Sequence, residues 1–414
     1  MASSNTTALP VSKIYDDCLI SSCLKRLFKN HVKSKKLPGY VICNEVAGIK
    51  KELAKINGTT IELSYDYLLA MEQSLPGVSF RYVIFQKDND PILFAYFQLF
   101  TGTSQNFNLK NNKTFVKGIV RFFLDLKKVK ALISGNALRN ETPCYCYNSS
   151  AINDTEATEM IAAAAEKIGS DERATVLVLK DIPVSPHAAK WLAGQGYYAP
   201  MTDSVMTLTI NPEWATLSGY ISALTRKYKT RANKILALRD KLTIEELQEN
   251  TIAGSERQMN RLYKNVVENQ SFALATISED HFTKLKSLYK NDFEVFGFYH
   301  EKKLVAFYSA FVTPDAYEIY YAGFDYQLND EYQLYFNLLF SGLERAMLLK
   351  KKELKLGRTS FDSKASLGAT PVEIKYFFKT MNVPAVAINW FVNYFTAMED
   401  GKWKLRNPLK EPLN

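Results

Sequence analysis

The chain has 414 residues and a mass of 47.1 kDa, with 47% hydrophobic, 23% charged and 13% aromatic residues. That composition excludes a disordered, collagen-like or coiled-coil chain, and at about 150 residues per domain the length holds two or three domains with cores of their own. A net charge of +9 is mild over this length: it admits an anionic ligand, and DNA is not an expected partner.

Residues 1–10 are small and polar and are expected to fray. The opening MASSNTTALPVSKIYDDCLI has no basic stretch leading into an apolar one, so no secretory leader is read and a cytoplasmic location is expected. Ile14, Cys18, Leu19, Leu24, Leu27 and Phe28 predict a helix over 14–36, stopped at Pro38-Gly39. A helix near 45–56, a strand over Thr60–Leu63 and a helix over 65–74 come after it. Phe80–Gln86 and Ile92–Phe100 flank a turn by composition, Lys87 to Pro91, which predicts an antiparallel hairpin. Next come a helix over 112–128, the strand Ala131–Ser134, a helix over 154–168, the strand Thr175–Leu179, a short helix over 187–193 and the strand Ser204–Ile210.

The second half is expected to open with a long basic helix over 214–238, then helices near 244–250, 255–267 and 279–290. A second hairpin joins Phe293–Tyr299 to Leu304–Val312, and the strand Tyr317–Gly323, a helix over 330–349 and the strand Glu353–Leu356 complete the pattern. Helices, hairpin, strand, helix and strand thus occur twice. An α+β fold of two similar units, 1–210 and 211–414, is expected, with 1–36 as a helical extension and 385–414 packing back on the first unit. Thr380–Met398 is uncharged over 19 residues, but Asn382, Pro384, Asn389 and Asn393 favour a buried strand-turn-helix over a membrane span, so membrane contact is at most peripheral.

Cys18, Cys23, Cys43, Cys144 and Cys146 are sparse and odd in number, and make no disulfide framework. No two of His31, His187, His281 and His300 lie within four residues of one another, so no metal is expected.

Three segments carry a family resemblance: TLTINPEWATLSGYISALTRKYKTRANKIL at 207–236, YEIYYAGFDYQLNDEYQLYFNLLFSGLERAM at 317–347, and KLGRTSFDSKASLGATP at 355–371. With SYDYLLAMEQ, RYVIF, ALISGN and LVLKDIP in order before them, they resemble the tandem-GNAT proteins grouped with the Fem-type peptidoglycan aminoacyltransferases and the peptidoglycan biosynthesis/recognition N-acyltransferases, over roughly residues 60–380. The resemblance implies two acyl-CoA N-acyltransferase-like domains with mixed, mostly antiparallel sheets flanked by helices. It implies transfer of an acyl group from an acyl-CoA-like donor to an amine, by direct attack in an interdomain cleft. The implied acceptor is a small molecule, a peptide, an amino sugar or a cell-envelope precursor. An aminoacyl-tRNA donor is the alternative, less expected because residues 240–290 lack the sustained heptads of a tRNA-binding arm. A non-catalytic ligand-binding module is the third reading.

The GNAT fold holds pyrophosphate at a glycine-rich helix start, where free backbone N–H groups meet the anion. Here Tyr326–Glu331 has no glycine and carries Asp330 and Glu331. Arg358 and Lys364, at the end of the strand Glu353–Leu356, suit a carboxylate or phosphate of the donor or acceptor, with Thr359 beside them. Thr359 and Ser360 also fit as caps of a helix over Phe361–Leu367 ended by Gly368. Glu318, Tyr320, Tyr321 and Asp325 are the candidates to orient the amine or protonate a leaving thiolate. Strand alternation puts Glu318 and Tyr320 on one face, and Tyr321 with Gly323 on the other. Asp181 is the first-half candidate for a cationic acceptor. The basic helix, with Arg226, Lys227, Lys229, Arg231, Lys234, Arg239 and Lys241, reads as a wall for an anionic tail. Arg231 stands where the family's KYR-x-R pattern ends, and Lys229 replaces its middle Arg.

Overall fold

Two seven-stranded sheets carry the fold in the computed structural model, which describes residues 38–56, 60–102, 129–182, 184–198, 202–270, 275–381 and 406–410. The helices expected over 14–36 and 112–128, and most of the uncharged stretch at 382–398, lie outside these residues. The first sheet runs β1 (Gly39–Cys43), β2 (Val78–Lys87), β3 (Asp90–Gly102), β4 (Val129–Ser134), β6 (Val176–Leu179) and β14 (Phe377–Thr380), with β5 (Tyr145–Tyr147) also on β3. The second runs β13 (Thr370–Lys375), β7 (Thr202–Thr209), β12 (Glu353–Lys355), β11 (Ala316–Phe324), β10 (Lys303–Val312), β9 (Phe293–His300) and β8 (Thr243–Glu246). Both sheets are mostly antiparallel, each with one parallel pair, β4 with β6 and β11 with β12. Both expected hairpins form. Their turns, Asp88-Asn89 and Glu301-Lys302, have positive φ at both residues, the conformation that matches the right-handed twist of the strands.

In the first half the helices are α1 (Lys50–Leu53), α2 (Tyr65–Ser74), α3 (Asp154–Asp171) and α4 (Pro186–Gly194). In the second they are α5 (Leu217–Ala223), α6 (Arg226–Arg239), α7 (Glu249–Asn269), α8 (His281–Tyr289), α9 (Tyr326–Tyr332), α10 (Leu334–Leu348) and α11 (Phe361–Ala365). The α3 start is fixed by a reciprocal cap, Asn153 with Glu156, and α2 by Ser64, whose hydroxyl accepts from the Tyr67 N–H. One apolar cluster draws on both halves, packing Tyr67, Tyr82, Phe94 and Tyr96 with Leu262, Phe282, Phe293 and Phe311.

The structure departs from the sequence reading at identifiable contacts. Thr60–Leu63 is not a strand. Ile61–Leu63 is a 3-10 turn, closed by the Ser64 hydroxyl donating to the Ile61 carbonyl. The long helix over 214–238 is two helices, because residues 406–410 intrude at the break: the Thr225 N–H donates to the Pro408 carbonyl at 2.7 Å and Leu224 bridges Leu409. This described piece of the C-terminal segment therefore packs on the second half, Leu409 joining its core. The helix expected near 244–250 is the edge strand β8, since pairing with β9 overrides the helical preference of its glutamates. The helix expected from 330 begins at Tyr326 and breaks at Gln333, a left-handed residue, where the Asn337 amide donates to the Tyr332 carbonyl. The sheets also exchange strands. β7, which precedes residue 210, lies between β12 and β13, and β14, late in the chain, lies beside β6.

Candidate functional site

The two parallel pairs differ in how the chain leaves them. In the first sheet β4 and β6 pair through Ile133 and Val178. Beyond that point the Ser134 hydroxyl donates to the Lys180 carbonyl and accepts from the Lys180 N–H. The Lys180 ammonium is buried, donates to the carbonyls of Asn136 and Arg139 at 2.7 Å each, and pairs with Asp181 at 2.6 Å. Burial pulls its pKa down, against the pull of Asp181. These bonds stitch the first gap shut.

In the second sheet β11 and β12 pair from Ala316 and Glu353 as far as Glu318 and Lys355. The chain then runs along β7, the Leu356 N–H donating to the Met206 carbonyl and the Met206 N–H to the Gly357 carbonyl. Among the described residues no strand pairs with Ile319–Phe324 on that side, so a wedge opens. Unpaired strand backbone can hold an amide-bearing chain by strand addition. On its other side β11 is bulged. The register with β10 slips between Tyr308 and Ala310, and the Ser309 hydroxyl serves the N–H and carbonyl of Tyr321. The bulge brings Tyr320 and Tyr321 to the same face, their rings 4.4 Å apart and both packed on the α7–α8 side, instead of opposite faces. Both are half-buried. Burial, reinforced by a neighbouring tyrosine, raises both phenol pKa values well above the usual range. A Cβ at Gly323 would lie 2.6 Å from the Tyr263 backbone nitrogen, so only glycine lets α7 sit this close over the strand.

Glu318 does not stand free as a base. The Arg139 guanidinium donates to it from Nη2 at 3.0 Å and from Nε at 3.3 and 3.4 Å. Nη1 of Arg139 donates to Glu62 at 3.2 Å, and the Tyr289 hydroxyl donates to the same oxygen at 3.0 Å. Arg139 lies 3.6 Å over the Phe311 ring. Burial opposes the Arg139 charge, but Glu318 outweighs it and its pKa rises. Burial likewise pushes Glu62 up, and hydrogen bonds from its own N–H and Thr60 together with the Arg139 charge reverse this to a net lowering. On the other flank of Tyr320, the hydroxyl meets His281 Nε2 at 3.2 Å, and burial pushes the imidazole down to about 3.

The open wedge is flanked by cations. Arg358 is exposed in the turn after β12, with Thr359 exposed beside it. Its charge opposes protonation of Lys180 and Lys364 and lowers the Tyr321 pKa, against the larger effect of burial on Tyr321. Lys364, on α11, is buried, and among the described residues its ammonium has no hydrogen-bond or ion-pair partner. Burial first, and Arg358 second, push it down to about 7. Gly357 turns with a positive φ, and a Cβ there would stand 3.9 Å from the Lys364 ammonium. Thr359 and Ser360 do not cap α11: Ser360 is left-handed and makes no capping bond.

The remaining candidates divide. Asp325 caps α9, accepting from the Gln327 N–H at 3.0 Å. Asp181 is taken by Lys180 and by the Glu141 N–H. Arg231 lies 4.3 Å over the Phe336 ring and lines an open pocket of about 230 Å³ with Lys227, Tyr228, Asp362, Ser366 and Arg406. Arg406 pairs with Asp362 at 2.9 Å, and Lys229 is exposed but does not line the pocket. At the start of α10, the Asn329 side chain accepts from the Tyr335 N–H, so the chain itself occupies that backbone donor. Tyr320 and Tyr321 thus lie side by side, Lys364 lies near the Gly357 turn, and Glu318, Asp325 and Asp181 are held in contacts within the protein, beside which stand Arg139, Lys180, His281 and Arg406. Only Lys180, next to Asp181 at a strand end, carried a signal in the sequence. Among the described residues no three His, Cys, Asp or Glu side chains cluster for a metal, and no helix is long and apolar enough to cross a membrane.

No family model matches the sequence, and no curated protein matches it. Solved structures similar to this chain include FemX, at 10% identity and a TM-score of 0.47, with 84% of this chain and 99% of that chain covered. A tandem GNAT protein from the clavulanic acid biosynthesis pathway is similar at 9% identity and a TM-score of 0.46, over 84% and 99%. The C-terminal domain of a candidate lysylphosphatidylglycerol synthetase from Agrobacterium fabrum is similar at 12% identity and a TM-score of 0.46, over 86% and 99%. Likeness at this level assigns no residue a role.

Proposed function

We propose that the protein is an N-acyltransferase whose acceptor amine and acyl donor meet in the wedge between β11 and β12. The observation that carries this reading is the asymmetry of the parallel pairs: the first gap is closed by Ser134 and Lys180, and the second is left open beside Arg358 and a partnerless Lys364. An amine must lose a proton before it attacks a carbonyl carbon. Lys364, pushed down to about 7, holds a neutral fraction at neutral pH and takes that proton. The N–C bond then forms, the bond to the donor's sulfur or oxygen breaks, and the second N–H proton leaves with the departing group. Arg358 holds a carboxylate or phosphate of the acceptor or donor. The anionic tail of the donor lies at Lys227, Arg231 and Arg406.

The acceptor class that fits is an amine-bearing peptide, amino sugar or cell-envelope precursor, and an acyl-CoA-like thioester is the first donor to test. One observation favours the second donor, an aminoacyl-tRNA: the α10 start lacks glycine and is capped by Asn329, so it does not offer the usual pyrophosphate cradle. Calorimetric titration of the whole chain with acyl-CoAs and with charged tRNA separates the two donors, and mass spectrometry of amine mixtures detects the amide. Arg358→Ala and Lys364→Met together are expected to abolish product. Unchanged turnover in that pair removes the wedge as the site, and absence of any product with either donor class removes the enzyme reading.

A further inference from the structure

The break between α5 and α6 is tied down by residues from far along the chain. α5 ends at Ala223, where the last carbonyls of a helix lack helical donors, and α6 starts at Arg226 with no side-chain capping bond from Thr225. Residues 408–410 answer both ends. The Lys410 N–H donates to the Ala223 carbonyl at 2.9 Å, and its ammonium to the Ser222 carbonyl at 2.8 Å. The Thr225 N–H donates to the Pro408 carbonyl at 2.7 Å. Pro408 is buried, and a Cβ at Gly368 would meet it at 3.5 Å and Leu409 at 3.3 Å, so residues 406–410 form a closely seated strap.

The strap, α6 and α11 enclose the cavity of about 230 Å³ between them. Lys227, Tyr228 and Arg231 reach it from one face of α6, at helical spacing. Asp362 and Ser363 come from α11, and Arg406 comes from the strap, two positions before Pro408. Asp362 Oδ1 accepts from Arg406 Nη2 at 2.9 Å, which leaves Nε and Nη1 of that guanidinium without an acceptor among the described residues. Lys227 and Arg231 have no carboxylate partner among them either. The wall thus sets three cations against one carboxylate. A carboxylate ligand answers half of the surplus, whereas a phosphate monoester, at about −1.5 to −2 near neutral pH, answers most or all of it, and guanidinium donors suit its oxygens.

We propose that this cavity is a phosphate site shared by α6, α11 and the strap, completed by Arg406, so that phosphate binding and seating of the strap support one another. The strap brings a cation to the ligand and also holds the start of the helix that carries the other two. By linkage, a ligand that needs the assembled site tightens the strap by the same factor by which the strap tightens the ligand. That the phosphate belongs to the acyl donor rests on the N-acyltransferase reading; the binding itself does not.

Calorimetric titration of the whole chain with inorganic pyrophosphate at low salt tests the site. Arg406→Gln is expected to weaken binding about threefold to fivefold, the weight of one exposed charge pair. Thr225→Pro keeps every charge and suits the φ of −64° at that position, but it lacks the N–H that holds Pro408. It is expected to weaken binding about as far, and the two changes together no further. If Thr225→Pro does not fold, Leu409→Ser frees the strap from its core side and carries the same expectation. Hydrogen exchange at the Lys410 N–H, read by NMR, slows when pyrophosphate saturates the wild type and stays fast in Thr225→Pro. A wild type that binds no pyrophosphate overturns the site. So does an equal loss in Lys234→Gln, since Lys234 is exposed on α6 outside the cavity and the effect is then only the diffuse field of that helix. Full affinity in Thr225→Pro while the Lys410 N–H exchanges freely overturns the role of the strap. Strap-dependent pyrophosphate binding without amide from any donor leaves the site standing and removes the acyltransferase reading. Amide formation with a donor KM indifferent to Arg406→Gln does the reverse.

Discussion

Arg139 and Glu318 are 179 positions apart in sequence and meet in a fork of hydrogen bonds at 3.0 to 3.4 Å, the first from one half of the chain and the second from the central strand of the other half. Glu62 takes the remaining edge of the same guanidinium. Removing the cation would strand two enclosed carboxylates. Arg139→Met should therefore cost about 3–5 kcal/mol in urea unfolding, whereas Glu62→Gln, which leaves the Glu318 fork intact, should cost much less. Equal losses in the two variants would show that Arg139 is not the hub.

The pH dependence of stability has a definite sign at Lys364. Its folded pKa, about 7, lies below the unfolded value of 10.5. Between these values the unfolded chain binds more protons, so this residue makes stability rise with pH from about 7 to about 10.5, with a slope of at most about 1.4 kcal/mol per pH unit. Lys180 is shifted in the same direction, so the comparison must be with Lys364→Met, where part of the slope disappears. An identical slope in wild type and variant would mean that the amine is as well solvated as in the unfolded chain. Glu62 contributes with the same sign in a more acidic window: its lowered pKa adds stability that is full above its unfolded value and is lost as pH falls through the folded one.

Activity should track the same group. The rate is expected to rise with pH through about 7, as Lys364 loses its proton, and Lys364→Arg should flatten that limb and lower kcat. A limb that persists unchanged in Lys364→Arg would assign the proton acceptor elsewhere.

The α6 pocket makes a separate claim about charge. Arg231→Gln with Arg406→Gln should weaken the donor by about tenfold at low salt and less at high salt, because exposed cations act through screened fields. Calorimetric titration at two ionic strengths measures both terms. An effect independent of salt would point to Arg231 packing on Phe336 in place of its charge.

Gly323→Ala should destabilise the second sheet by about 1–3 kcal/mol or more, since the added methyl meets the α7 backbone, which cannot give way as a side chain would. Thermal unfolding reads this directly.

Much of this architecture is legible in the sequence because it is local. The hairpins around Asp88-Asn89 and Glu301-Lys302, and the helices over Tyr65–Ser74 and Asp154–Asp171, arise from alternation, turn residues and caps within a few positions. The failures arise where a distant segment decides. β8 becomes a strand because β9 offers an edge, and the basic helix breaks because Pro408 takes the Thr225 N–H. The candidate site divides in the same way. The candidacy of Arg358 and Lys364 rests on their place just past a strand end, which is a local feature. The bulge that sets Tyr320 beside Tyr321 depends on the Ser309 hydroxyl from another strand, and the pairing of Glu318 depends on Arg139 from the other half, so neither carries a local signal.

The exchange of β7 and β14 between the sheets bears on how the protein is made. When the ribosome has released β7, the sheet that will hold it does not yet exist, and the first sheet keeps an open edge at β6 until β14 emerges. At cellular elongation rates that interval is on the order of ten seconds, during which Val176–Leu179 is an unsatisfied edge on a nascent chain. Translation speed across the second half, and any chaperone that shields that edge, should therefore govern the yield of native protein more strongly than the stability of either half.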